Sequence, residues 1–220
     1  TYEKLIYEER TVSVRRGRTQ DYTKIFREQV KPAIEAEGGE VLRLVSGLIG
    51  APATELIGIS RFADFAAWER AQERVTANRP DTGDFVDSEQ VRLLKSIASR
   101  PKQTIPAEDR RVVFGYRRFF IEPKDLDDFV RYSEEGIWPR VEAEGASVLG
   151  LWTPLASTAP LEIVLLTGYH SATNWEQTRV NQPMPDHFDE EMRQKCTEMY
   201  KLRYEIPYKT WVQLMQAVEL

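Results

Sequence analysis

Apolar residues recur at helical spacing in two long stretches and at strand spacing around them. From Asp21 the apolar positions Tyr22, Ile25, Phe26, Val30, Ala33 and Ile34 mark a helix. Pro32 falls inside that pattern, where it removes a hydrogen bond and crowds the preceding turn, at a cost of about 3 kcal/mol in a straight helix. A kink or restart is therefore expected at Pro32, with Gly38 ending the helix in the left-handed conformation. Residues 5–14 read as a strand before this helix, and Val41–Leu48 and Glu55–Phe62 as two strands after it. Asp64 is placed to cap a helix carrying Ala66, Ala67, Trp68 and Ala71. Phe85, Val91, Leu94 and Ile97 predict a further helix over roughly 86–98. Arg100–Asp109, with Pro101 and Pro106, reads as a final strand region and linker.

The same order follows in the second half. Val112–Ile121 reads as a strand, and a helix runs through Leu126, Phe129, Val130, Ile137 and Val141, interrupted by Pro139. Val148–Trp152 and Leu161–Tyr169 read as strands, Ser171 caps a helix, Asp189–Lys201 is helical, and Thr210–Met215 is the last strand. Pro32-Ala33-Ile34-Glu35-Ala36-Glu37-Gly38 recurs as Pro139-Arg140-Val141-Glu142-Ala143-Glu144-Gly145, an offset of 139 − 32 = 107. Residues 7–70 lie on 114–177 at that offset without a gap, bringing Arg10 onto Arg117 and Trp68 onto Trp175. The chain is thus two copies of one unit, 1–107 and 108–220. Each copy has the strand and helix order of a ferredoxin-like unit. Ile163-Val164-Leu165-Leu166 is apolar on both faces, so that strand needs cover on both sides. The expectation is an α+β fold in which two tandem units form a pseudo-dimeric alpha+beta barrel within one chain.

Composition narrows the function classes. A net charge of −5 and a pI near 5.3 argue against a nucleic-acid partner, and the charge gives no attraction to an anionic membrane surface. No apolar run approaches the ~18 residues that span a bilayer, and Thr1-Tyr2-Glu3-Lys4 shows no signal-peptide core. The single Cys196 fits a reducing, cytoplasmic setting and reads as a buried small hydrophobe.

The pattern of a strand, Pro-x-x-Glu-Ala-Glu-Gly, an apolar strand and a Trp-bearing helix resembles NIPSNAP-like members of the dimeric alpha+beta barrel superfamily, and Arg10 and Arg117 fall where that family often carries a first-strand arginine. The resemblance covers nearly the whole chain, twice. It implies pockets between the sheet and the helices of one unit. Its relatives include cofactor-free monooxygenases, isomerases, lyases, haem enzymes and proteins without known catalysis. No proximal-histidine motif is evident, so no haem is expected. Fold alone does not assign the chemistry.

The candidate chemistry comes from differences between the copies. Both histidines, His170 and His187, lie in the second, which makes that unit the expected ligand-binding one. Histidine titrates near neutral pH and could move a proton. The alternative places His170 on a solvated strand end and His187 on a helix-start surface. Tyr116 could donate to a developing oxyanion, and Arg118 could hold a carboxylate or phenolate; otherwise Tyr116 is core and Arg118 caps the sheet edge. Trp152, Tyr169 and Trp138 are candidate pocket walls. Arg10 and Arg117 occur in both copies and read as fold residues paired with glutamate, and Trp68 and Trp175 as core. No metal-ligand spacing, phosphate loop or nucleophile elbow is present. Two classes follow. One is a cofactor-free enzyme on a small aromatic or largely apolar substrate, a lyase or isomerase first and a monooxygenase second. The other is a non-catalytic binding or assembly module. Self-association is left open.

Overall fold

The chain divides into two units, Thr1–Lys95 with Leu214–Leu220, and Ser96–Gln213. This boundary precedes the expected one near 107, and the last residues return to the first unit. The computed structural model describes residues 5–220; the reading made of Thr1–Lys4 lies outside them.

In unit 1, β1 (Ile6–Val14) leads into α1 (Thr19–Ile25), a π-helical turn (Phe26–Val30) and α2 (Lys31–Ala36). Strands β2 (Glu40–Ile49) and β3 (Glu55–Phe62), helix α3 (Phe65–Asn78) and strand β4 (Val86–Ser96) follow. The π turn answers the proline problem. Lys31 N–H donates back five residues to the Phe26 carbonyl, and Pro32 then enters near the start of α2, where its missing N–H costs little. Gly38, at φ +74°, follows α2 as expected, and Asp64 Oδ1 caps α3 by accepting from Ala67 N–H at 2.8 Å. The sheet order is β4-β1-β3-β2, with the end of the last strand beside β2.

The helix expected over 86–98 is instead β4, and no strand forms within Arg100–Asp109. The three-residue spacing of Val91, Leu94 and Ile97 imitates a helix. The strand pattern is hidden because Glu89 turns a charge toward buried Arg10, so a polar residue sits where a strand reading expects an apolar one.

Unit 2 repeats the plan. It comprises β5 (Val113–Ile121), α4 (Leu126–Tyr132), a second π turn (Ser133–Ile137), α5 (Trp138–Ala143), β6 (Ser147–Pro154), β7 (Leu161–Tyr169), α6 (Ala172–Gln177) and α7 (Glu190–Glu205). The last strand, β8 (Lys209–Ala217), begins in unit 2 beside β5 and ends in unit 1. The order β8-β5-β7-β6 matches that of unit 1. The register matches as well: Arg10 faces Gly58 across β1–β3, and Arg117 faces Leu165 across β5–β7, each pair displaced by 107. Both units are therefore ferredoxin-like and α+β. In unit 2 the apolar core gathers Phe119, Phe129, Trp138, Val148, Leu151 and Ile163. Phe119 meets Phe129 edge to face, at 4.9 Å between ring centres. Among the described residues no helix is long and apolar enough to cross a membrane.

Candidate functional site

Alternation along β5 sends Gly115, Arg117 and Phe119 to one face, and alternation along β7 sends Leu165, Thr167 and Tyr169 to the same side. Helices α5 and α7 lie over these residues. They contribute Trp138 and Val141, and Tyr200, Arg203 and Tyr204. Between sheet and helices lies a cavity of about 520 Å³, within the size range of small-molecule sites. Every lining residue belongs to unit 2, and none of them is an aspartate, glutamate or histidine.

Four cations line this space: Arg117, Arg179, Arg203 and Lys209. Arg117 donates to Thr210 Oγ1 at 3.3 Å, and Arg203 donates to Ser133 Oγ at 3.2 Å. The guanidinium carbons of Arg203 and Arg117 lie 4.9 and 5.9 Å from the centre of the Phe119 ring. Arg179 lies over Trp175 at 4.9 Å. Burial first, and the charge of Arg117 second, push Arg203 down to about 10. Burial and then Arg179 lower Arg117 as well. Burial raises the Tyr169 hydroxyl, partly offset by Arg117 and by hydrogen bonds with Thr167 and Thr178, so Tyr169 is a protonated donor at neutral pH. The site thus combines aromatic walls with positive charge that has no carboxylate beside it.

The origin of this charge is visible in unit 1. There Arg10 is buried and satisfied. Its Nε donates to Glu8 at 2.8 Å, and its other nitrogens reach Glu89 and, at 2.8 Å, Gln72. Glu8 Oε2 also accepts from Trp68 Nε1 at 2.7 Å and Gln72 Nε2 at 2.8 Å. At the offset of 107, Glu8 becomes Gly115 and Gln72 becomes Arg179. Unit 2 therefore keeps the arginine and loses its counter-ion. Arg10 pairs with glutamate as expected, but Arg117 does not; it is a cavity residue. Trp175 likewise lines the cavity.

The structure brings together some of the candidates named above. Trp138 and Tyr169 line the cavity. Tyr116, Arg118 and Trp152 do not: Tyr116 and Trp152 are fully buried elsewhere in the unit, and Arg118 pairs with Glu162 at 2.8 Å. Alternation explains Tyr116 and Arg118, because even-numbered positions on β5 face away from α5 and α7; on β6 the register shifts between Val148, which lines the cavity, and Gly150, and Trp152 lies beyond that shift. Both histidines are exposed and outside the lining. His170 sits beside the Gly145 turn, with its backbone N–H donating to Asn174 Oδ1 at 3.0 Å. His187 packs edge-on against Phe188. Arg203, Tyr200 and Arg179 escaped the sequence reading. The available signal was Gly115 standing where the first copy has Glu8.

No family model matches the sequence, and no curated protein matches it. Solved structures do. A provisionally named monooxygenase from Lactobacillus acidophilus NCFM is 14% identical, with 99% of this chain and 100% of that chain covered and a TM-score of 0.63. A second provisionally named monooxygenase, from Fusobacterium nucleatum subspecies nucleatum, is 11% identical, with 100% and 94% covered and a TM-score of 0.65. The chain has their fold. A NIPSNAP family protein of unknown function from Agrobacterium tumefaciens is 20% identical over 43% of this chain and 90% of its own, at a TM-score of 0.37. The two whole-length matches bear out the expected α+β fold.

Proposed function

We propose that the cavity of unit 2 binds a small aromatic or largely apolar metabolite and turns it over without a cofactor, stabilising negative charge on an oxygen of the substrate. The observation that carries this reading is a cavity of about 520 Å³ walled by aromatic rings and lined by arginines with no carboxylate among them. Apolar walls bury the body of such a ligand, and preorganised cations act most strongly where water is excluded.

The cavity residues hold a proton donor, Tyr169, and oxyanion partners, Arg117 and Arg203, but no imidazole or carboxylate to abstract a proton. This equipment suits a lyase reaction that leaves an enolate. In a β-keto acid the carbon–carboxylate bond breaks and CO₂ leaves, the electron pair moves onto the carbonyl oxygen facing the arginines, and Tyr169 returns a proton to carbon and is reprotonated by water. An isomerase would need a base brought by the substrate itself. The two whole-length matches named as monooxygenases favour a second reading, in which the same stabilised phenolate or enolate reacts with dioxygen. A non-catalytic binding module is the third outcome.

One experiment separates these readings. A panel of enolisable aromatic compounds is incubated with the protein in D₂O, with deuterium incorporation and bond cleavage followed by NMR and dioxygen uptake by electrode. Cleavage or exchange without oxygen uptake supports the acid–base reading, and oxygen uptake supports the second. Binding without either makes the protein a binding module. Failure of every aromatic compound to bind overturns the proposal.

A further inference from the structure

We infer that the ligand of unit 2 carries a carboxylate, and that Arg117, Trp175 and Arg179 hold it where unit 1 holds the carboxylate of its own Glu8. The inference rests on the pocket reading above and adds the chemical class of the ligand's head group.

Unit 1 supplies the template. The Glu8 carboxylate accepts from Arg10 Nε at 2.8 Å, Trp68 Nε1 at 2.7 Å and Gln72 Nε2 at 2.8 Å, and it is almost wholly buried. Two donors come from one helix face at a four-residue spacing, and the third from the strand beneath. Unit 2 has a donor 107 residues beyond each of these, the third lying just past the end of α6 at Gln177 instead of on the helix. Arg117 stands for Arg10, Trp175 for Trp68 and Arg179 for Gln72, and all three line the cavity. Arg179 is a stronger partner for an anion than the glutamine it replaces. Only the acceptor is missing. Gly115 provides no side chain, and a Cβ there would meet the Tyr169 ring at 3.2 Å. The Trp175 indole N–H makes no hydrogen bond within the described residues.

Three donors converge on one carboxylate in the first copy and on an open volume in the second. A free carboxylic acid entering that volume would complete the set, with its aromatic body running along Phe119 toward Trp138. The geometry selects an aryl-alkyl carboxylate over its neutral isosteres.

The test is calorimetric titration of the full chain with 3-phenylpropionate and with 3-phenylpropanamide, repeated in Arg117→Gln and Trp175→Phe. The acid is expected to bind at least tenfold more tightly than the amide. Each substitution should weaken the acid about tenfold and the amide by a smaller factor, because the charge-assisted part of the hydrogen bond is lost only for the acid while the aromatic walls remain. Trp175→Phe keeps an aromatic ring, so its effect isolates the indole N–H. Equal affinity for acid and amide overturns the carboxylate inference and leaves the aromatic pocket standing. An acid preference that survives both substitutions overturns it as well, by placing the head group elsewhere. Binding of neither compound overturns both the inference and the pocket reading.

Discussion

Replacing Arg203 with methionine separates function from stability. Burial holds Arg203 near 10, well below the ordinary guanidinium range. At roughly 1.4 kcal/mol for each tenfold in proton affinity, that lowering sets a ceiling of about 3–4 kcal/mol on the cost of keeping its charge in the cavity. The residue is only half-buried, so screening reduces the working figure to roughly 1–2 kcal/mol. Against this relief, the variant loses the hydrogen bond to Ser133, worth roughly 1.5–3 kcal/mol for a charged donor. It also loses the stacking over Phe119 and Phe129, roughly 1–2 kcal/mol for two rings. Methionine regains roughly 0.3–1.5 kcal/mol of the latter through sulfur–aromatic contact. Ser133 is not orphaned, since its hydroxyl donates to the Phe129 carbonyl at 2.7 Å. The losses exceed the relief by roughly 1–2 kcal/mol. Arg203→Met should change the melting temperature by no more than about 4–8 °C in a chain of this size, measured by calorimetry at pH 7. The same variant should bind 3-phenylpropionate about threefold more weakly, because it removes one nearby positive charge and none of the head-group donors. A fall in melting temperature well beyond 10 °C with unchanged affinity would make Arg203 a structural residue and refute the reasoning.

Other perturbations have defined outcomes. Glu8→Gln leaves Arg10 with Glu89 but without the carboxylate on its Nε, and should destabilise the protein by about 2–4 kcal/mol, read as a lowered urea midpoint at unchanged slope. Burial pushes Glu89 up, but Arg79 and Arg10 more than offset it and leave it below 4.5. Its contribution is therefore present above the unfolded value and lost as pH falls through the lower folded one. The acid limb of stability in Glu89→Gln should be shallower below pH 4.5 than in the parent. Tyr169→Phe should retain the fold and ligand binding but lower any lyase turnover by about 10²-fold or more, checked by single-turnover kinetics. His170→Ala and His187→Ala should each stay within about 0.5 kcal/mol of the parent in stability and leave calorimetric affinity for 3-phenylpropionate unchanged.

The fold was legible because the repeat ties each uncertain element to a clearer copy. The misread strand, β4, commits Glu89 and Arg92 to ion pairs beside its buried Leu94, and periodicity counts only apolar positions. The site was legible in part. Its placement in the second unit, and Trp138 and Tyr169 as walls, followed from asymmetry and from the order of elements. The two histidines drew attention by their chemistry, yet both ended on solvent-facing turns. Arg117 was set aside because it recurs in both copies. Its role is decided by the residue two positions earlier, where glutamate gives way to glycine. Arg203 lies beyond the stretch over which the copies align, so no comparison within the sequence could flag it.

The five-residue π turn occurs in both units, Phe26–Val30 and Ser133–Ile137, yet only in the second does it border the cavity, through Ile137 and Trp138. In both units it brings a proline to the start of the following helix. Removing one residue from it would wind the helix back by about 100° per residue and swing Trp138 away from the cavity. A length change of a single codon there would disarm the second unit while leaving its composition almost untouched, so variation in this segment should be tolerated as exchange and selected against as deletion.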